Sequence, residues 1–199
     1  MYLFNCWLPA SVKVSDMERL WMPGEEGKRQ AGWNYNYHDN PYLTVKENTN
    51  GQFYDRLIGN ISLKYDFTDW LSLQFRTATD YSNERREYRR AFSTQRFPFG
   101  EYREVKIVNE ERNSDFLLSA NKKINTDFAF TANIGGNQMR QTSRFIEDVA
   151  GQLNIPSIYS LNNARIALVV DQSNVGKRIN SLYGAAGISY KNKLFIDVT

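Results

Sequence analysis

Residues 57–81 read LIGNISLKYDFTDWLSLQFRTATDY. Apolar and polar side chains alternate along both halves of this stretch, on either side of a turn at 66–69. A period of two residues is typical of β-strands with one apolar and one polar face. Each half keeps the alternation for about ten residues, which exceeds the ~5–6 residues of ordinary strands and matches the ~9–11 residues of a tilted transmembrane strand. The stretch therefore predicts a hairpin of two membrane-spanning strands.

The same pattern occurs twice more along the chain. Residues 116–134 alternate on both sides of a polar turn at 125–127, and residues 182–198 alternate on both sides of a turn at 191–193. Short polar turns between alternating runs indicate β-hairpins. We therefore predict three hairpins, which together contain about six long strands.

The connections between these hairpins are predicted to be long. Residues 83–102 are charged and aromatic, and residues 147–177 mix polar residues with glycine and proline. Short turns at one end of a sheet and long loops at the other are typical of outer-membrane barrels. For residues 53–199 we predict an all-β fold, an antiparallel up-and-down transmembrane β-barrel segment with short periplasmic turns and long extracellular loops.

Residues 1–52 lack the alternating pattern and are assigned to an extracellular loop region. Ser15 and Glu18 have the spacing of a helix capping box, which predicts a short helix that ends at Pro23. The first residues lack the basic and apolar regions of a secretory signal, and residues 194–199 stop inside an alternating run. We expect the chain to be a fragment whose signal sequence is absent.

Composition excludes several function classes. Charged residues make up 24% of the 199 residues and mean hydropathy is −0.59, so no run reaches the ~18 apolar residues of a spanning helix. The net charge of +3 is spread along the chain, which argues against nucleic-acid binding. With one histidine, His38, and one cysteine, Cys6, we expect no metal site, no cofactor and no catalytic site.

An aromatic segment between Ala31 and Asn40 is the candidate ligand-binding site. Trp33, Tyr35 and Tyr37 alternate with polar residues and are followed by His38 and Asp39. Aromatic faces beside hydrogen-bonding groups suit a sugar or a peptide. The alternative is that these rings pack the loop onto the rim of the barrel.

Four aromatic residues adjoin the predicted short turns. They are Tyr65, Phe67, Trp70 and Tyr190. In a membrane barrel they would form an aromatic girdle at the membrane interface. In a soluble protein they would cover the end of a β-core, since aromatic residues are enriched in all strands.

Several segments, in this order, resemble a known family. Asn40-Pro41-Tyr42, the run RLIGNISLKYDFTDWLSL at 56–73 and the run LYGAAGISYKNKLFIDVT at 182–199 resemble the barrel of SusC/RagA-type TonB-dependent outer-membrane receptors of Bacteroidetes. Residues 8–17 resemble a loop that precedes these strands. Each motif alone is a strand pattern, and the specificity comes from their combination.

The resemblance implies part of a 22-stranded barrel with an N-terminal plug. It also implies import of glycans or peptides through the outer membrane, powered by the TonB system through that plug and assisted by a SusD-like surface lipoprotein. The plug and the TonB box are not found in these 199 residues. The alternative from another class is a soluble β-sandwich that binds carbohydrate.

Overall fold

The computed structural model describes residues 11–32, 37–191 and 193–199. Six strands form one sheet in the order β1-β2-β3-β4-β5-β6, so that each strand pairs with its neighbours in sequence. The strands are β1 Asn50–Thr68, β2 Leu71–Thr94, β3 Phe97–Lys123, β4 Phe128–Ala150, β5 Val169–Tyr190 and β6 Leu194–Val198. This antiparallel up-and-down sheet confirms the predicted fold class.

All three predicted hairpin turns are present. The first is tighter than predicted, because β1 continues to Thr68 and β2 begins at Leu71. The second spans 124–127, where the Asn125 side chain accepts hydrogen bonds from the backbone N–H groups of Asp127 and Phe128 at 2.9 and 2.8 Å. In the third, Tyr190 pairs with Leu194 across the turn. Side chains that bond their own turn thus fix where the hairpins reverse.

The predicted long connection at 83–102 was wrong. β2 and β3 continue through this region, and a two-residue turn joins them at 95–96. The charged side chains bond to neighbouring groups within the sheet: Glu84 accepts from Gln52 at 2.5 Å and from Arg86 at 2.6 Å. High charge density here therefore marks a strand with paired side chains and not a loop.

The second long connection is confirmed with narrower bounds, 151–168. It contains a short 3₁₀ helix, Leu161–Asn163. Asn163 is buried, and its side-chain amide donates to the carbonyl oxygens of Ile155 and Ile158 at 2.7 Å each. Internal hydrogen bonds of this kind give a long loop a defined shape.

The short helix near residue 15 starts two residues earlier than predicted, because Lys13 and not Ser15 is its N-cap, and it ends at Met17, before Pro23. It is a 3₁₀ helix, Val14–Met17, in which the Asp16 carboxylate accepts from the backbone N–H of Lys13 at 3.3 Å. A second helix, α1 Pro41–Lys46, was not predicted. Asn40 caps it and proline occupies its first position, which is a recognised helix-start signal.

The chain forms two compact units. Unit 1 comprises Met1–Tyr54, Glu84–Ile107 and Phe145–Ser173, and unit 2 comprises Asp55–Asn83, Val108–Arg144 and Asn174–Thr199.

Unit 1 contains the buried apolar side chains. Every apolar side chain that is buried among the described residues belongs to it: Met17, Ala31, Leu43, Ala91, Tyr102, Val105, Ala150 and Leu153. Tyr159 packs against the cluster that Tyr102, Ala150 and Leu153 form. Burial raises the pKa of the Tyr159 hydroxyl, and the nearby Glu47 carboxylate adds to the increase.

Unit 2 has two chemically different faces. Side-chain contacts between neighbouring strands define one of them, the polar face: Gln74 donates to Ser62 at 3.1 Å, Arg76 pairs with Asp115 at 2.9 Å, and Ser143 donates to Asn109 at 2.7 Å. The alternate positions carry mostly aliphatic and aromatic residues. We call this second surface the apolar face, which carries Ile61, Leu63, Phe75, Phe116, Leu118, Ile134, Leu182, Ile188 and Ile196.

The apolar face is exposed and ends at a defined level along the strands. Leu63 and Leu182 are 67% and 84% exposed. Phe116 and Leu182 both approach Gly136, which sets these three residues in one row across the sheet. In the next row away from the short turns the side chains are polar and bond in pairs: Thr77 with Ser114, and Gln138 with Asn180, each at 3.1 Å.

The apolar band is therefore about nine residues long on the two strands that show it best. It covers residues 128–136 of β4 and 182–190 of β5. A transmembrane strand needs ~9–11 residues, whereas these strands have 23 and 22 residues in all. The band accounts for less than half of each strand.

Two adjacent glycines of β4 allow large side chains to cross the strand on both faces. A Cβ on Gly136 would lie 2.7 Å from Cε1 of Phe116 and 2.9 Å from Cδ2 of Leu182. On the polar face, a Cβ on Gly135 would overlap the ring of Tyr183. The Gly135-Gly136 pair therefore serves close packing within the sheet.

Gly100 is the glycine whose replacement we expect to be most damaging in unit 1. Its φ is +65°, and an added Cβ would lie 2.8 Å from the carbonyl oxygen of Arg90. Gly100→Ala should lower the free energy of unfolding by about 1–3 kcal/mol, because alanine resists this backbone conformation and cannot displace a backbone oxygen. Urea unfolding in detergent micelles, followed by tryptophan fluorescence, measures the change.

Gly59→Ala is the matched control. Gly59 lies in β1 with no atom within 4 Å of an added Cβ, so the replacement should leave stability unchanged or raise it by up to ~1 kcal/mol. Equal stability of the two variants would contradict this account of Gly100.

Candidate functional site

Asn40 is the centre of the loop that carries the candidate ligand-binding residues. The side chain is fully buried, and its amide nitrogen donates to three backbone carbonyls, those of Met17, Arg19 and Ala31, at 2.9, 3.1 and 2.7 Å. Its side-chain oxygen accepts from the N–H of Tyr42 at 2.9 Å, which caps α1. One asparagine thus connects the 3₁₀ helix, the strand-like residues near 31 and α1.

Gln30 and Asp39 extend this network to the turn between β2 and β3. The backbone N–H of Asn40 donates to Oε1 of Gln30 at 2.7 Å, and the Gln30 amide donates to Oδ1 of Asp39 at 2.9 Å and to the carbonyl of Ser93. Oδ1 of Asp39 also accepts from the backbone N–H of Gln95 at 2.8 Å. This carboxylate oxygen therefore anchors the loop within unit 1.

The five predicted ligand-binding residues are placed as follows. Trp33 and Tyr35 lie outside the described residues. Tyr37 is 74% exposed, whereas His38 and Asp39 are half-buried. Three consecutive residues of this loop thus carry an exposed aromatic ring, a half-buried histidine and an anchored carboxylate. Their role in ligand binding stays a prediction.

The predicted girdle residues lie at the short turns of unit 2, where aromatic rings contact each other and lysines. The rings of Tyr65 and Phe67 meet edge to face with centroids 5.0 Å apart. Lys122 places its Nζ 4.6 Å from the centroid of Trp70. Tyr190 has Phe128 at 4.8 Å on one side and Nζ of Lys191 at 5.3 Å from its own ring.

Phe128 is an aromatic residue at the turns that sequence reasoning did not include. Its position directly after the turn at 125–127 was the available signal, because it parallels that of Trp70 after the turn predicted at 66–69. Together with Ile188, Leu194 and Ile196, the Phe128–Tyr190 pair lines a shallow apolar depression on the apolar face.

The polar face carries paired charges and hydrogen bonds. Arg56 donates from Nε and Nη2 to the two carboxylate oxygens of Asp80 at 2.9 and 2.6 Å. Such bidentate pairs fix the relative position of two strands as well as neutralising charge. Both side chains are nearly half exposed, so solvent screens the pair and its main effect is on strand position.

Within residues 11–32, 37–191 and 193–199, no group of three or more histidine, cysteine, aspartate or glutamate side chains is arranged to hold a metal ion. In the same residues, no helix is long and apolar enough to cross a membrane.

The fold of this sheet also occurs in known proteins, although their sequences differ from this one. No protein-family profile matches the sequence, and no curated protein matches it. Solved structures do match, and they share the fold of this sheet.

The matches include two structures of the RagAB peptide transporter, one of them in the "closed-closed" state, each with a TM-score of 0.72 and 15% identity. The RagAB peptide importer in the "open-open" state gives a TM-score of 0.70 at 14% identity. In all three, the match covers 80% of this chain and 18% of the other. The likeness establishes a shared fold, and the chain spans about a fifth of the length of the structures it matches.

Asn40→Ala tests whether the polar network holds the loop. Loss of three amide hydrogen bonds and the helix cap should lower the free energy of unfolding by roughly 2–4 kcal/mol. Denaturant unfolding with limited proteolysis of residues 11–50 measures this change.

Asn162→Ala provides the control, since Asn162 is an exposed loop asparagine and its replacement should change stability by no more than about 0.5 kcal/mol. If Asn40→Ala is as stable and as protease-resistant as Asn162→Ala, the network is not what orders this loop.

Proposed function

We propose that the chain is part of the wall of an outer-membrane transporter that imports peptides or glycans. The observation that carries this proposal is the exposed apolar band of unit 2. Exposed apolar surfaces of this extent indicate contact with a membrane or another protein. The band has the length that a bilayer requires, and the likeness to the RagAB peptide transporter supports transport as the function.

On this proposal the two faces of unit 2 meet different surroundings. The apolar face contacts lipid, and the polar face, with Gln74, Arg76 and Asp115, lines an aqueous lumen. A soluble sandwich would instead bury its apolar face against a second sheet. Among the described residues the six strands form a single sheet, which favours the transporter over the carbohydrate-binding sandwich.

The aromatic residues at the short turns then lie at the periplasmic interface of the membrane. Tyr65, Phe67, Trp70 and Tyr190 form the girdle, and Phe128 belongs to it. Lys122 and Lys191 lie against these rings. Their ammonium groups reach the headgroups while their alkyl chains stay with the aromatic surface.

The loop of unit 1 is the proposed ligand-binding element, on the extracellular side. Trp33, Tyr35 and Tyr37 supply aromatic faces, and His38 and Asp39 supply polar groups. Because Oδ1 of Asp39 already accepts two hydrogen bonds within the protein, its remaining oxygen is the one placed for a ligand.

The proposed partners follow from the class of transporter. They are a SusD-like surface lipoprotein, the TonB system acting through a plug, and outer-membrane lipid. The protein binds and moves its substrate without catalysing a reaction, and it needs no cofactor and binds no nucleic acid.

Uptake measurements in the native host test this proposal. Cells in which Trp33→Ala and Tyr37→Ala are combined should bind the imported peptide or glycan about tenfold more weakly, because two aromatic contacts are lost. Val45→Ala, which truncates an exposed side chain of α1, should leave uptake unchanged.

The level of protein in the outer-membrane fraction is measured in the same cells and should be equal for all variants. Wild-type protein absent from that fraction would contradict the transporter assignment. If uptake by the double variant is unchanged at normal protein levels, the loop does not bind the ligand. That result would leave the transporter assignment in place.

A further inference from the structure

Three arginines lie side by side on neighbouring strands of unit 2, on the apolar face. They are Arg112 of β3, Arg140 of β4 and Arg178 of β5. We call them the arginine row. Their alignment follows from the contacts that flank them on both sides.

Flanking contacts fix the register between β4 and β5. Gln138 donates to Asn180 at 3.1 Å, and Arg144 donates to Asn174 at 3.3 Å. In an antiparallel pair, a step forward on one strand is a step backward on the other. Both contacts fit the same register, which places Arg140 opposite Arg178.

The same argument applies between β3 and β4. Ser143 donates to Asn109 at 2.7 Å, and Phe116 lies against Gly136. These two contacts again share one register, which places Arg112 opposite Arg140. Arg112 lies four residues before Phe116, and Arg140 lies four residues after Gly136. Four is an even number, so these two arginines, and Arg178 opposite Arg140, share the apolar face.

Like charges directly opposite each other destabilise a sheet. All three arginines are exposed. Arg112 pairs with Glu110 of its own strand at 3.1 Å, and within the described ranges neither Arg140 nor Arg178 forms an ion pair. A fourth cation, Arg144, lies on the same face farther along β4. The surface therefore has an excess of positive charge, which Glu110 offsets only in part.

The row also lies at a particular distance from the apolar band. Four residues beyond Phe116 and Gly136 correspond to about 13 Å along a strand, or roughly 10 Å along the membrane normal for a strand tilted by ~35–45°. The headgroup layer begins where the hydrocarbon ends and is about 5–7 Å thick. Arginine side chains can extend back toward that layer.

We propose that the arginine row binds the phosphate groups of an anionic lipid in the outer leaflet. Guanidinium groups bind phosphate with charge-assisted, bidentate hydrogen bonds. A lipid that carries two phosphates on one headgroup matches a row of three cations next to an apolar surface that its acyl chains can cover. This inference rests on the membrane location in the proposed function.

Binding of lipid A, a glycolipid with two phosphates, to the chain refolded in zwitterionic detergent micelles tests the proposal. R112Q/R140Q/R178Q should weaken binding on the order of 100-fold at low salt, since each arginine near a lipid headgroup contributes about a factor of five. The single variant R140Q should weaken it about fivefold and be at least as stable as wild type, because it relieves charge repulsion.

The control variant is K64Q/K123Q/K177Q, which removes three cations that alternate onto the polar face. It should bind lipid A within about twofold of wild type, because the loss of charge is equal and only the face differs.

Lipid A stripped of its phosphates should bind the wild-type chain as weakly as lipid A binds the triple arginine variant. Equal binding of lipid A by the wild-type chain and the triple arginine variant would overturn the proposal. Inorganic phosphate is added to the complex at a concentration equal to that of the phosphate groups of lipid A. If it displaces lipid A completely, the site binds the free anion and the lipid assignment is overturned.

Flotation with phosphatidylcholine vesicles separates this inference from the function on which it rests. The wild-type chain and the triple arginine variant should both float. If both float and bind lipid A equally, the arginine row is not a lipid site and the membrane assignment stands. If neither floats with any vesicle, the membrane assignment fails, and this inference fails with it.

Discussion

The register between neighbouring antiparallel strands is the constraint on which the rest of this structure depends. A shift of one residue would move every apolar side chain of a strand to the polar face. Tight turns at 69–70 and 124–127, together with pairs such as Tyr190 with Leu194, hold the register. The apolar band, the cluster of aromatic residues at the turns and the arginine row all depend on this register, which the five strand pairs maintain.

The sequence was sufficient to predict the parts of the fold that repeat with a period of two. Alternation at 57–81 and 182–198 predicted the hairpins, and the residues assigned to each face there are those that the side-chain contacts of unit 2 place together. The length of the alternation predicted strands longer than those of soluble proteins. The likeness to RagAB structures agrees with that prediction at the level of fold.

Elsewhere local signals were misleading or too short. Residues 83–102 were predicted to form a loop because charge, Pro98 and Gly100 are loop signals. In the structure the charged side chains pair within the sheet, and Gly100 lacks the Cβ that would lie 2.8 Å from the Arg90 carbonyl oxygen. The six-residue helix α1 escaped notice because Thr44 and Val45 are weak helix formers. The arginine row could not be found from spacing, since it depends on three strands being in register.

Unit 1 and unit 2 show two different solutions to stability. Unit 1 buries its apolar residues and orders its loop through buried amides, with Asn40 at the centre. In unit 2 the described residues leave the apolar face uncovered. On the proposed function, lipid covers this face, since the band has the length that a bilayer requires.

Site-directed fluorescence quenching tests this claim most directly. With Cys6 replaced by serine, single cysteines are introduced at two neighbouring positions of β2, Leu73 on the apolar face and Gln74 on the polar face, and labelled with a small fluorophore. In the protein reconstituted into bilayers, a quencher attached to lipid tails should quench the label at position 73, and aqueous iodide should quench the label at position 74. Equal access of iodide to both positions would contradict the account.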